Sequence, residues 1–184
     1  VRTGMESLSP DFLHKQFDTI VYTRSTPRTR DVFRIKDEIN LPKGKPNIDT
    51  ILYYEMTPQN LQTRLLEDSV RITGDLHVFV LYVPVDEERR MEYLETECSI
   101  DSLVSCSGCN EQMIPDISFQ PQCGTMEAKP DEDGEQRILE LELPVNITMK
   151  FYEDVELSIL SDAYSTACEL TLSRQPVHFE RLLL

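Results

Sequence analysis

Apolar residues in this chain recur at every second position, which is the pattern of a β-strand with one buried face. Between Val70 and Tyr82, six apolar side chains share one parity, and Arg71, Thr73, Asp75 and His77 lie on the other. Gly74 interrupts the apolar face and predicts a bulge or a bend. Leu139–Phe151 repeats the alternation over a longer stretch, with Pro144 on its polar side. We therefore expect two long, half-buried strands.

Shorter stretches with β character lie between and around these two. They are Val32–Ile39, Asp49–Met56, Gln62–Leu66, Met91–Cys98, Ile117–Met126, Val155–Leu160 and Cys168–Leu172. Many short strands separated by turn residues are typical of a sandwich or a barrel. We predict an all-β fold, an antiparallel β-sandwich or barrel-like single domain. One short N-terminal helix is expected over Asp11–Phe17, because Ser9 can cap it and Pro10 suits its first position.

Two loops stand out between the predicted strands. Asp133-Gly134 predicts a tight hairpin turn that joins the strand Ile117–Met126 to the strand that starts at Leu139, since glycine accepts the positive φ that such turns require. Leu41–Pro46 brackets a glycine with two prolines and is a preformed loop. The β domain is assigned to residues 31–173. Residues 1–30 are interpreted as a lead-in from a preceding unit, and 174–184 as a linker to a following one.

Composition excludes several kinds of partner. The chain has 184 residues and a formal net charge of −15, which disfavours nucleic acid and anionic membrane surfaces as partners. No apolar run approaches the roughly 18 residues of a membrane span, and the first residues do not resemble a signal peptide. Five cysteines in a chain of this size indicate a reducing compartment rather than a disulfide scaffold.

The charges are unevenly distributed along the chain. Residues 24–45 carry seven Lys or Arg against three Asp or Glu, whereas residues 127–142 carry two against seven. These blocks are either solvated surfaces or the two halves of a head-to-tail contact between neighbouring copies or domains. The residues selected as interaction candidates are Lys43, Lys45, Pro46, Asp131, Glu132 and Asp133.

No constellation in the sequence indicates an enzyme. The three histidines, His14, His77 and His178, are far apart, and no common catalytic or phosphate-binding motif is present. We predict no catalytic residue and no cofactor.

The cysteines leave three interpretations open. Cys106-Ser-Gly-Cys109 is a single CxxC, with Cys98 before it and Cys123 after it, whereas a four-thiolate zinc site usually has two such pairs. The CxxC is therefore read first as a structural turn. A metal site or local disulfide, and an intermolecular crosslink, are the alternatives.

Carbohydrate or cell-wall binding is a further alternative for a β module. Such binding usually uses exposed aromatic platforms, but the chain has no Trp, and many of its aromatic residues fall on apparently inward parities. This alternative is the weaker one.

Three stretches resemble a known family. Residues 33–52 (FRIKDEINLPKGKPNIDTIL) are similar to the opening of the SPOCS domain of bacterial spore coat proteins. VRITGDLHVFVLYV (70–83) resembles its central strand, and ILSDAYSTACELTL (159–172) its closing segment. The CSGC–MIPDI stretch (106–117) is similar to a clostridial form that combines SPOCS units with a LysM module. The resemblance extends over about residues 31–173.

This resemblance, to SipL-type spore coat morphogenesis proteins, implies a non-enzymatic scaffold in the mother-cell cytoplasm and spore coat. It implies neighbouring SPOCS units and self-association as contacts. It also implies the SpoIVA ATPase as a partner, through a LysM module absent from this sequence. In the closing segment, Asp162 and Tyr164 are expected to be structural. Tyr164 is expected to hold the last hairpin, so that its truncation would cost as much as that of a core residue. The alternative for Tyr164 is an interface anchor.

Overall fold

A computed structural model describes residues 13–85, 90–166, 169, 171, 173 and 175–181. Their secondary structure is entirely β, and all assigned strand pairs are antiparallel. The strands are β1 Leu13–Ser25, β2 Thr29–Asn40, β3 Ile48–Leu66, β4 Ser69–Pro84, β5 Glu92–Ser105, β6 Ile114–Pro121, β7 Thr125–Pro130 and β8 Gln136–Ser165. This described part of the chain contains no helix that could cross a membrane.

The chain divides into two compact units, of which Thr26–Phe151 is the larger. In this unit β2 pairs with residues 138–149 of β8, and β7 and β6 also pair with β8. A second sheet has the order β3-β4-β5. The all-β antiparallel prediction is confirmed. The sheets are open, however, so the barrel alternative is wrong and the sandwich remains.

The core of this unit comes from the two predicted long strands. All six apolar residues of the 70–82 alternation are completely buried, and so are their counterparts on β8. The inward residues of β4 are Val70, Ile72, Leu76, Val78, Val80 and Tyr82, and those of β8 are Leu139, Leu141, Leu143, Val145, Ile147, Met149 and Phe151. They belong to one continuous hydrophobic cluster. Burial of these two alternating faces in one core stabilises the unit.

The irregularity expected at Gly74 lies on the neighbouring strand. The β4–β5 register runs unbroken through Gly74, whereas the β3–β4 register shifts between Gln59 and Gln62. Asn60 has a φ of 53°, and a Cβ on Gly74 would lie 2.8 Å from the Gln59 carbonyl oxygen. Gly74 is therefore required because the bulged backbone of β3 approaches it closely.

The two loops selected from the sequence have different connecting roles. The loop containing Leu41–Pro46 carries the chain from β2 in the first sheet to β3 in the second. Asp133-Gly134 lies in the β7–β8 hairpin, where Gly134 has a φ of +84° and its N–H donates to the Asp131 carbonyl over 3.0 Å. The predicted turn is confirmed, but the strand that precedes it is β7, because the expected strand Ile117–Met126 is divided between β6 and β7.

The smaller unit comprises Val1–Ser25 and Tyr152–Leu184. Among its described residues, β1 pairs with 152–165 of β8. The chain returns later, where the Thr23 N–H donates to the Glu180 carbonyl over 3.1 Å and Phe179 packs against Tyr22. The predicted N-terminal helix is not found: residues 13–17 begin β1, and 9–12 lie outside the described residues.

Tyr164 is not a core residue. Its side chain is 62% exposed and stacks on His14 of the paired strand, with ring centroids 4.7 Å apart. Its neighbour Ala163 is the buried residue of this segment. The expectation of a core-sized loss on truncation of Tyr164 is corrected accordingly. Asp162 is exposed and accepts a hydrogen bond from the Ala163 N–H over 2.9 Å. Part of the predicted strand Cys168–Leu172 lies outside the described residues.

Candidate interaction surface

An aromatic row crosses the outer face of the β3-β4-β5 sheet. Tyr53 of β3 and Tyr93 of β5 both lie opposite Leu81 of β4, and Phe79 follows in the next row. The Phe79 ring lies 6.3 Å from the Tyr53 ring and 6.2 Å from the Tyr93 ring, centroid to centroid. Tyr53 and Tyr93 are each more than half exposed. This sheet therefore presents an apolar, aromatic outer surface, here called the aromatic face.

Carboxylates flank the aromatic face. Glu55 and Glu95 lie opposite Phe79 on β3 and β5. The Tyr53 hydroxyl donates to Glu55 over 3.3 Å, and the charge of Glu55 raises the pKa of Tyr53. His77 lies on the outward parity of β4, as expected, and its Nε2 is 2.9 Å from Oε1 of Glu95. The immediate surroundings of the aromatic row are therefore acidic.

Lys45 extends from the loop to one end of this face. Its Nζ donates to Glu92 over 2.9 Å and lies 4.8 Å from the centre of the Tyr93 ring. The hydrogen bond to Glu92 raises the pKa of Lys45. Of the interaction candidates taken from the loop, Lys45 is thus already engaged within the chain, whereas Lys43 is exposed. Pro46 is half-buried, and its carbonyl accepts from the Tyr82 hydroxyl over 3.1 Å.

Arg137 of β8 donates hydrogen bonds to the loop between β2 and β3. Its guanidinium donates to four oxygens of the loop: the carbonyls of Leu41 (3.4 Å), Pro42 (2.9 Å) and Lys45 (3.0 Å), and Oδ1 of Asn47 (2.6 Å). A planar guanidinium can satisfy several carbonyls at once, whereas a lysine ammonium lacks this fork. The prolines alone do not fix the loop.

Of the three acidic interaction candidates, Asp131 is held in hydrogen bonds within the chain, whereas Glu132 and Asp133 face solvent. Oδ1 of Asp131 accepts the N–H groups of Asp133 and Glu135, both over 3.0 Å, and so closes the β7–β8 turn. Glu132 and Asp133 are exposed at that turn. Asp131 is therefore a turn-stabilising residue, and the other two remain candidates for contacts.

The basic and acidic blocks meet within one chain. β2 lies beside β8, and Arg34 and Lys36 both form ion pairs with Glu142, the Lys36 pair at 3.0 Å. These contacts lower the pKa of Glu142. Glu142 of the acidic block is thus neutralised within the chain by two residues of the basic block, which weakens the head-to-tail interpretation at this position.

The CSGC segment forms a turn that connects β5 to β6. Its backbone is held by Asp68 of the β3–β4 hairpin: the Asp68 carbonyl accepts from the Cys106 N–H over 2.8 Å, and Oδ1 of Asp68 accepts from the Gly108 N–H over 2.6 Å. The buried Cys109 thiol donates to the carbonyls of Leu66 and Ser69. Burial raises the pKa of Cys109 to about 11. These contacts agree with the structural-turn interpretation.

The other two described candidate thiols lie in different settings. Cys98 is buried in β5. This burial raises the pKa of Cys98 to about 12, and the nearby Asp37 is a second cause of the shift. Cys123 is exposed between β6 and β7. Within the described residues, no group of three or more His, Cys, Asp or Glu side chains could hold a metal ion. The four candidate cysteines are therefore not assembled into a ligand set.

Sequence reasoning missed several residues of this surface. Phe79 and Leu81 are on the outward parity of β4, which is a signal that could have revealed the aromatic face. Tyr53 had no such signal, because it lies beside a register shift between Ile51 and Tyr53. Arg137 contacts a loop about ninety positions away, so nothing local in the sequence indicates its role.

Comparison with known proteins assigns the central part of the chain. Residues 47–122 match the family described as SipL, SPOCS domain. The match includes all of β3, β4 and β5, the CSGC turn and β6, but not the closing DAYS segment. No curated protein and no solved structure matches the chain. The resemblance drawn from the sequence motifs is thus confirmed over residues 47–122, which match the SPOCS domain of SipL.

Proposed function

We propose that this chain is a non-enzymatic structural and interaction module of a spore coat morphogenesis protein, which scaffolds coat assembly around the developing spore. The observation that carries the proposal is the match of residues 47–122 to the SipL SPOCS domain. The proposed location is the mother-cell cytoplasm and the spore coat. The proposed contacts are neighbouring SPOCS units, further copies of the chain and the SpoIVA ATPase, the last through a LysM module.

The arrangement of the surface supports a binding role. The aromatic face is an exposed sheet surface, and aromatic residues are enriched where proteins contact one another. Of the histidines, His14 stacks on Tyr164, and His77 pairs with Glu95 on the outside of a sheet. Neither described contact supplies an activated nucleophile beside a base, which an acyl-transfer or hydrolytic site requires.

The test is the position of the protein in sporulating cells. A fluorescent fusion of the full-length protein is expected to collect around the developing spore. Replacement of Tyr53 and Tyr93 by Ala together is expected to reduce that signal, whereas Glu67→Gln with Glu111→Gln, at two exposed carboxylates elsewhere, is expected to leave it unchanged. A fusion that stays diffuse in the mother cell throughout coat assembly would refute the scaffold function.

Cell-wall or carbohydrate binding is the second candidate, because the aromatic face supplies the exposed platform that the sequence did not reveal. Tyr53, Phe79 and Tyr93 lie side by side on three adjacent strands. Retention of the purified chain on insoluble peptidoglycan, lost in Tyr53→Ala, would favour this function. Equal recovery of both proteins in the soluble fraction would contradict it.

A further inference from the structure

The aromatic face already holds one cation. The ammonium of Lys45 lies over the Tyr93 ring and against the Glu92 carboxylate, so a ring face and a carboxylate share one positive charge. Attraction between a cation and an aromatic ring, added to a charge-assisted hydrogen bond, is an effective way to bind Lys or Arg. The chain thus provides an example of what this surface binds.

The opposite side of the face has the same components without a cation. Tyr53 is 52% exposed, and Glu55 accepts a hydrogen bond from its hydroxyl. The Phe79 ring lies beside Tyr53, with Glu95 on its other flank. Among the described residues, no Lys or Arg lies over the Tyr53 or Phe79 ring. This group, Tyr53, Glu55 and Phe79, is here called the open aromatic site.

We propose that the open aromatic site binds a Lys or Arg side chain of a partner protein, presented on an extended segment with apolar neighbours. Glu55 and Glu95 provide the charge complementarity, and Phe79 and Leu81 provide the apolar surface that the neighbouring residues would cover. The net charge of −15 further favours a basic partner. The inference rests on the proposed interaction function and specifies the chemistry of the partner.

The probes are three Gly/Ser-rich peptides that carry Leu-Arg-Leu, Leu-Gln-Leu or Leu-Glu-Leu at their centre. Each is titrated into the isotope-labelled full chain and followed by amide chemical shifts. The arginine peptide is expected to shift the amides around Tyr53 and Phe79, and the glutamate peptide to leave them in place. Tyr53→Leu is expected to weaken arginine-peptide binding about two- to fivefold, the loss typical of an exposed cation–aromatic contact, whereas Tyr53→Phe retains binding.

Two matched controls separate this site from general attraction to an acidic protein. Glu55→Gln with Glu95→Gln removes the same charge as Glu67→Gln with Glu111→Gln at two other exposed carboxylates, but only the first pair is expected to weaken binding. Tyr164→Ala removes an exposed tyrosine elsewhere and is expected to change nothing. Equal weakening by the two double variants would overturn the proposal.

Three further outcomes would also overturn the proposal. They are equal binding of all three peptides, self-association lost in Tyr53→Leu without peptide binding, and retention on glycan without peptide binding. Equal binding would mean that the site does not select a positive charge. The other two outcomes would mean that its ligand is a second copy of the chain or a glycan. The scaffold function would be unaffected, because it is tested by location in the cell.

Discussion

Removal of the Arg137 side chain tests whether the loop from Leu41 to Asn47 is held by long-range hydrogen bonds. The guanidinium donates to the Asn47 side chain over 2.6 Å and to the Pro42 carbonyl over 2.9 Å. Hydrogen bonds from a charged group contribute about 1.5–3 kcal/mol each, so two such bonds at the lower value give about 3 kcal/mol. Arg137→Ala is expected to lower the free energy of unfolding by this amount in urea denaturation followed by circular dichroism.

Two companion variants show whether the loss of stability comes from the guanidinium hydrogen bonds of Arg137 or from its charge. Arg137→Lys keeps the charge but cannot reach several oxygens at once, so we expect a loss of about 2 kcal/mol. Arg34→Ala breaks an exposed ion pair with Glu142 on the same sheet and is expected to cost at most about 1 kcal/mol. The reasoning is refuted if Arg137→Ala costs no more than Arg34→Ala.

Three other substitutions test the remaining structure. Gly74→Ala should destabilise the fold by about 1–3 kcal/mol in urea denaturation, because the new Cβ would lie 2.8 Å from the Gln59 carbonyl oxygen; Gly44→Ala, with nothing within 4 Å, should not. The pKa of Cys98 is raised above its unfolded value of 9.0 to about 12, so its contribution to stability is complete below pH 9 and is lost as the pH rises toward 12. Between pH 8 and 11, the free energy of unfolding of the wild type should therefore fall more than that of Cys98→Val; equal falls would contradict the assigned shift. Tyr164→Ala should cost about 1 kcal/mol or less by thermal unfolding, since the ring is 62% exposed, and a loss of 3 kcal/mol would restore the core interpretation.

The buried strands could be predicted because the alternation of apolar and polar residues shows which face of a strand is buried. β4 and the part of β8 up to Phe151 carry strict apolar alternation, and the structure buries those parities. β1 was missed because most of its side chains are exposed, so the sequence of 13–25 lacks a regular apolar face. Expected strand ends were wrong wherever a strand continues through an irregularity, as β3 does at Asn60.

The candidate surface was only partly predictable, because it depends on which strands become neighbours. Lys45 could be selected from its loop, but its partners Glu92 and Tyr93 lie about 47 positions away. The charge blocks were recognised correctly, but their meeting across β2 and β8 follows from the strand pairing. Hydrophobic pattern determines the faces of each strand, whereas the order of the strands determines which polar groups meet.

The same connectivity links the loop to the aromatic face. Arg137 fixes the Lys45 carbonyl, and the Lys45 side chain in turn covers Tyr93. Loss of Arg137 should therefore loosen the cation at Tyr93, while the open aromatic site on the other edge of the sheet keeps its own side chains. Arg137→Lys should consequently expose Tyr93 as a second place for an arginine peptide, with new shifts around Tyr93 and unchanged affinity at Tyr53. Simultaneous loss of binding at Tyr53 would mean that the two sides of the face depend on each other.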